Sequence, residues 1–219
     1  FMGIYAPSKA SQEHAKKWCH EFRYALPDLD PEKDVVASPF AIPEYVPNPK
    51  IAKNWQSWDK MLNKLHRHGK KVMIDFVPNH TALDAELAKS HPEYFIQGNL
   101  DQYNSQPNFF YPVVANNGQT YYIAHGKDPN FPEWADTLQL NYGVPELHDE
   151  MTKQLLELSR HSDGVRCDMA MLLDPSTFIR TWGWLLSGEQ KSFIEKHSFW
   201  HEKIPLIKID EWDFNWQTT

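Results

Sequence analysis

Lys71-Val72-Met73-Ile74-Asp75-Phe76-Val77-Pro78-Asn79-His80 is short, apolar and rich in β-branched residues until Pro78 breaks it. A strand hidden on both faces is what a parallel sheet requires, because helices cover each side of such a sheet. Upstream, Trp55, Trp58, Met61, Leu62 and Leu65 recur at helical spacing, and Gly69 supplies a C-terminal cap. Downstream, residues 84 to 94 suggest a short helix followed by a polar stretch. Phe109 to Ala124 then predicts a hairpin, two aromatic-rich arms around the turn Asn116-Asn117-Gly118.

The alternation continues. Leu147, Met151, Leu155 and Leu158 mark a helix entered through Pro145 and Glu146, and Gly164 to Cys167 predicts a second buried strand. A helical region from 175 to 200 leads to a third strand at Leu206-Ile207-Lys208-Ile209. At the start, Phe1-Met2-Gly3-Ile4-Tyr5 reads as the end of a further buried strand.

Helices alternating with strands predict an α/β fold, either a doubly wound sheet or a (β/α)8 barrel. In both, function gathers where the strands end. A whole barrel takes about 250 residues. With 219 residues, the chain is expected to form a partial or truncated (β/α)8 TIM-type barrel, with a long hairpin-bearing insertion after the first clear strand. No linker or repeat interrupts it, so one domain over residues 1–219 is expected.

Composition narrows the partners. The net charge of −7 argues against nucleic acid or an anionic membrane, both of which need a concentrated basic surface. No apolar run approaches the ~20 residues of a membrane span. Cys19 and Cys167 make no disulfide framework, which leans towards a reducing, cytoplasmic setting. No Gly-rich phosphate loop points to a nucleotide. Nine Trp residues are a rich supply of rings, suited to core packing and also to the apolar faces of sugars.

Each strand delivers polar residues at its end. The first carries Asp75 and releases Asn79 and His80; the second releases Arg166 and Asp168, two apart and so on one side. The third releases Asp210 and Glu211. Two carboxylates about 5 Å apart are the equipment of a retaining glycosidase, one attacking the anomeric carbon and one protonating the leaving oxygen. Arg166 would keep Asp168 ionised, as a nucleophile must be. Spacing alone fits an ordinary strand-end ion pair equally well, and Asn79 fits a turn residue after Pro78.

Ile74-Asp75-Phe76-Val77-Pro78-Asn79-His80 resembles the first conserved region of the alpha-amylase family, an Asp followed four and five residues later by Asn-His. Gly164-Val165-Arg166-Cys167-Asp168-Met169-Ala170 resembles the second, a Gly-x-Arg-x-Asp core, and Ala135-Asp136-Thr137-Leu138-Gln139-Leu140-Asn141 resembles the stretch that often precedes it. The resemblance implies a glycosidase or transglycosidase acting on α-glucans or maltooligosaccharides. Asp168 would be the nucleophile, Arg166 its electrostatic partner, and His80 the residue that binds the glucose unit on the non-reducing side of the cleaved bond. Asn79 and Asp75 would complete the substrate-binding set, mainly by holding the strand ends.

The acid/base Glu of this family stands at the end of the fifth strand. Aligning strand end with strand end makes Glu211 the acid, with Asp210 a shorter-armed substitute. Aligning Trp212-Asp213 with the family's downstream Trp-Asp puts Ile209 there instead and abolishes the chemistry. The family's third carboxylate belongs to a His-Asp pair on the seventh strand, and no such segment precedes Thr219. A missing remainder of the barrel would supply it, or the chain is a truncated or degenerate relative that binds sugar or nothing. No cofactor is expected. Asn79 resembles a calcium-binding position of many relatives, but no full ligand set accompanies it. His197 and His201, one turn apart, lack a third metal ligand and are expected on a solvated helix face.

Overall fold

The computed structural model of the protein describes residues 1–128, 131–169 and 172–173. In chain order the helices are α1 (Lys9–Lys16), α2 (Cys19–Phe22), α3 (Pro31–Asp34), α4 (Trp55–Arg67), α5 (Glu86–Ser90), α6 (Leu100–Ser105) and α7 (Pro145–Arg160). The strands are β1 (Met73–Phe76), β2 (His80–Ala82), β3 (Gln97–Gly98), β4 (Phe110–Val114), β5 (Thr120–Ala124), β6 (Thr137–Gln139) and β7 (Gly164–Cys167). The chain divides into two compact units. One holds residues 1–2, 52–79 and 142 onwards; the other holds 3–51 and 80–141.

The first unit is built on the parallel pair β1–β7, in register from Met73 opposite Gly164 to Phe76 opposite Cys167. Ile74 and Phe76 have no measurable exposure, as expected of a strand covered on both faces. Helix α4 starts at Asn54, whose side chain accepts from the Ser57 amide, and stops at Gly69, whose φ of 68° is the left-handed turn that a side chain would resist. It buries Trp58 and Leu62, and the Trp58 indole donates to the His161 carbonyl at 2.7 Å. Asp163 joins the pieces. Its carboxylate accepts from the Val72 amide at 2.8 Å and lies 2.7 Å from His66 Nε2, tying the last turn of α4 to the entrances of β1 and β7.

The second unit carries the expected hairpin. β4 and β5 pair antiparallel, Phe110 opposite Ala124 and Val114 opposite Thr120, and Gly118 takes the positive φ the turn needs. β3 extends this sheet along β5, and β2 pairs antiparallel with β6 in a separate ladder. Helix α1 is capped by Ser8, whose hydroxyl also donates to Asp84 at 2.6 Å, and Ser11 donates to Asp136 at the same distance.

Three expectations change. Phe1 and Met2 are exposed, and only a single bridge, Tyr5 to Pro47, stands where a strand end was expected. The helix expected over 84–94 is α5 followed by a separate 3-10 turn at Pro92–Tyr94, because Pro92 cannot donate the amide that would continue α5. The polar stretch after it contains α6, closed by an Asn99–Gln102 capping box. The fold is α/β, but among the described residues no barrel closes: the sheets have two, two and three strands. The helical region 175–200 and the strand at 206–209 lie outside the described residues.

Candidate active site

Register brings the first cluster together. Asp75 on β1 stands opposite Arg166 on β7, and Arg166 Nη1 donates to Asp75 Oδ1 at 3.0 Å. Two residues on, Asp168 lies on the same side, with Oδ1 3.0 Å from Arg166 Nη2. The intervening Cys167 pairs with Phe76 on the other side, and burial pushes its thiol up to about 12, so it stays protonated. Both cysteines are free. The Asp168 amide donates to the Phe76 carbonyl at 2.8 Å, one bond beyond the ladder, so the carboxylate leaves from a fixed backbone.

Backbone geometry changes immediately after it. Met169 has φ 55°, and a left-handed Met costs about 1–2 kcal/mol over the right-handed form. No residue type in the sequence signals this, since Met has no preference for that region.

Electrostatics at Asp168 differ from the simple expectation. Burial pushes its carboxyl above the ordinary value; the Arg166 charge opposes that shift, and the Asp75 charge adds to it. The net direction is up. Arg166 therefore limits a desolvation cost instead of dragging the carboxyl below its usual range. Arg166 itself is half-exposed, while Asp75 and Asp168 are buried.

Asn79 is buried at the end of the first unit's central segment, where Tyr142 donates to the neighbouring Pro78 carbonyl at 2.8 Å. His80 opens β2 in the second unit, opposite Gln139. Burial drives its imidazole down to about 4, against the raising effects of Asp136 and of a hydrogen bond to the Phe40 backbone. The ring is neutral at neutral pH and lies 5.1 Å from that of Trp134. Sequence reasoning did not find Trp134 or Phe40 as its neighbours, since neither belongs to a motif. Glu211 and Asp210 lie outside the described residues, as do His197 and His201.

Among the described residues, no group of three His, Cys, Asp or Glu side chains could hold a metal ion, and no helix is long and apolar enough to cross a membrane.

No family model matches the chain. Over 123 residues it is 32% identical to an alpha-glucosidase of Culex pipiens, covering 52% of this chain and 21% of that protein. It is similar to an alpha-amylase structure from Lactobacillus plantarum at 29% identity and a TM-score of 0.50, covering 71% of this chain and 30% of the other. A maltogenic alpha-amylase structure from Thermotoga neapolitana, 20% identical with a TM-score of 0.51, shares the fold over 86% of this chain and 42% of its own. The chain thus spans between a fifth and two fifths of the length of these relatives. With two motifs on neighbouring parallel strands, the chain is similar to glycoside hydrolases of the alpha-amylase family over part of their length.

Proposed function

We propose that these residues serve a retaining glycosidase or transglycosidase acting on α-glucosidic bonds of α-glucans or maltooligosaccharides. The observation that carries the reading is the buried Asp168 carboxylate fixed 3.0 Å from Arg166 at the end of β7. In this reading Asp168 attacks the anomeric carbon as the glycosidic C–O bond breaks, and Glu211 gives a proton to the departing oxygen. Glu211 then takes a proton from water, which releases the sugar from Asp168 with its configuration retained; a sugar hydroxyl in place of water gives transfer. A poorly solvated carboxylate suits attack, and the Arg166 guanidinium keeps its negative charge tolerable. His80, as a neutral imidazole, would hydrogen-bond a sugar hydroxyl, and Asp75 and Asn79 would keep the strand ends in position.

The same reading takes β1, α7 and β7 as a portion of a (β/α)8 barrel and residues 80–141 as an insertion between two of its strands. The Culex pipiens relative is called an alpha-glucosidase and the Lactobacillus plantarum structure an alpha-amylase, which supports α-linked glucose as the substrate. Mass spectrometry after incubation with a glycosyl-trapping maltooligosaccharide inhibitor tests it. An adduct on Asp168, absent from Asp168→Asn, is expected. Turnover of maltooligosaccharides left unchanged in Asp168→Asn would overturn the reading. A folded chain that binds maltotriose but gives no adduct would favour a degenerate, sugar-binding relative.

A further inference from the structure

The second unit contains a cavity of about 650 Å³ that Asp75, Asn79, His80, Arg166 and Asp168 do not line. Its volume falls in the range of roughly 300–1,000 Å³ usual for small-molecule sites. Three features set its chemistry.

The first is aromatic surface. Tyr103 and Tyr111 line the cavity. Tyr103 is held in place by stacking on Tyr122, at 4.7 Å and 23°, and Tyr111 remains partly exposed on β4. A fixed ring face suits the C–H face of a pyranose, because both surfaces are apolar and flat.

The second is an open acceptor on a largely buried ring. His125 lines the cavity and is only 7% exposed. Its Nδ1 lies 2.8 Å from the Thr137 carbonyl, which can only accept, so Nδ1 carries the proton. Burial keeps the imidazole below its usual range and therefore neutral. Nε2 is then a lone-pair acceptor, and no hydrogen bond engages it among the described residues. An acceptor open at a cavity wall can take a hydrogen bond from whatever fills the cavity.

The third is charge. Glu13 pairs with Lys16 at 2.7 Å and Glu133 with Lys127 at 3.1 Å, so both acidic groups of the lining are already compensated. Lys17, also in the lining, makes no ion pair among the described residues, so its ammonium can donate to a hydroxyl in the cavity.

We propose that this cavity is a second saccharide site, taking a glucose unit or short glucan. Its ring face lies on Tyr111 and a hydroxyl donates to His125 Nε2. The sugar class rests on the proposed function, whereas the site and its residues do not. Titration calorimetry of maltotriose into the Asp168→Asn chain removes turnover and reads binding alone. Tyr111→Ala should weaken binding about tenfold or more, the scale of one lost polar or ring contact. His125→Asn keeps a donor for the Thr137 carbonyl but removes Nε2, and should weaken binding similarly. Circular dichroism identifies folded variants, and Tyr111, at a partly exposed strand position, is the safer of the two. Unchanged affinity in either folded variant would overturn the proposal, as would heat from inorganic phosphate in place of maltotriose. An adduct on Asp168 without binding that depends on Tyr111 sinks this site alone; Tyr111-dependent binding without an adduct sinks only the catalytic reading.

Discussion

Arg166 Nη2 lies 3.0 Å from Asp168 Oδ1, and the same guanidinium reaches Asp75 Oδ1 at 3.0 Å through its other amino group. One cation thus serves two buried carboxylates on neighbouring parallel strands. The parallel register sets this up: Asp75 is opposite Arg166, and Asp168 is two residues further along the same side. Remove the cation and two negative charges remain buried together.

Arg166→Ala should therefore destabilise the chain well beyond the usual surface ion pair. Breaking a buried pair by removing one partner costs 3–5 kcal/mol, and the half-exposed guanidinium brings this to about 2–4 kcal/mol. Chemical denaturation reads it. A cost under about 1 kcal/mol, the range of an exposed pair, would mean that water already screens the cluster.

Asp168→Asn should move stability in the opposite direction from activity. The folded carboxyl is raised above its unfolded value, so the folded state binds more protons as the group titrates. Stability from this group is then greatest below the unfolded pKa and declines as pH rises through the folded one. At neutral pH the full cost of burying the charge is present. The Asn variant removes that cost and should melt roughly 2–4 °C higher for each kcal/mol recovered. A lower melting temperature at pH 7 would show that the Arg166 contact outweighs the desolvation.

The legible parts of this protein were those in which local chemistry agrees with tertiary context. Gly69 and Gly118 announced their turns because only glycine adopts those φ values cheaply, and both strands of the β1–β7 pair were plain from their apolar runs. The triad of Asp75, Arg166 and Asp168 was legible as separate motif residues, but its geometry was not. That one guanidinium spans both acids follows from strand register, which no local pattern states. The direction of the Asp168 shift was hidden for a similar reason: burial is a property of the packed unit. β2, β6 and α1 were missed because each is short and held by distant partners, β2 and β6 by each other and α1 by Asp84 and Asp136.

Asp163 is the hinge of the first unit's framework, and its replacement gives a third prediction. Burial alone would push its carboxyl up, but the His66 hydrogen bond and the Val72 amide outweigh this and hold it below the usual range. Its stabilisation is present above the unfolded value of 3.8 and is lost as pH falls through the folded one. Asp163→Asn puts an amide donor against His66 or Lys71 and should cost about 1–3 kcal/mol at pH 7. The variant should also lose less stability than the parent below pH 3.8. Parallel stability curves for the two chains at low pH would remove Asp163 from this role.

His80 should dominate a different and milder acid range. Its folded value of about 4 lies below the unfolded 6.5, so between these the unfolded state binds the extra proton. Stability must rise with pH through that window, and fall on acidification from 6.5 towards 4. At 1.36 kcal/mol per unit the full loss is on the order of 3 kcal/mol. His125 is shifted in the same direction by burial and contributes to the same slope, so the informative quantity is a difference between chains. His80→Gln keeps a polar amide near Phe40 and Trp134 but cannot titrate. Its urea midpoint should change less between pH 7 and pH 4.5 than that of the parent chain, at fixed salt. Equal changes in the two chains would mean that His80 is not the neutral, desolvated imidazole that a sugar hydroxyl could meet.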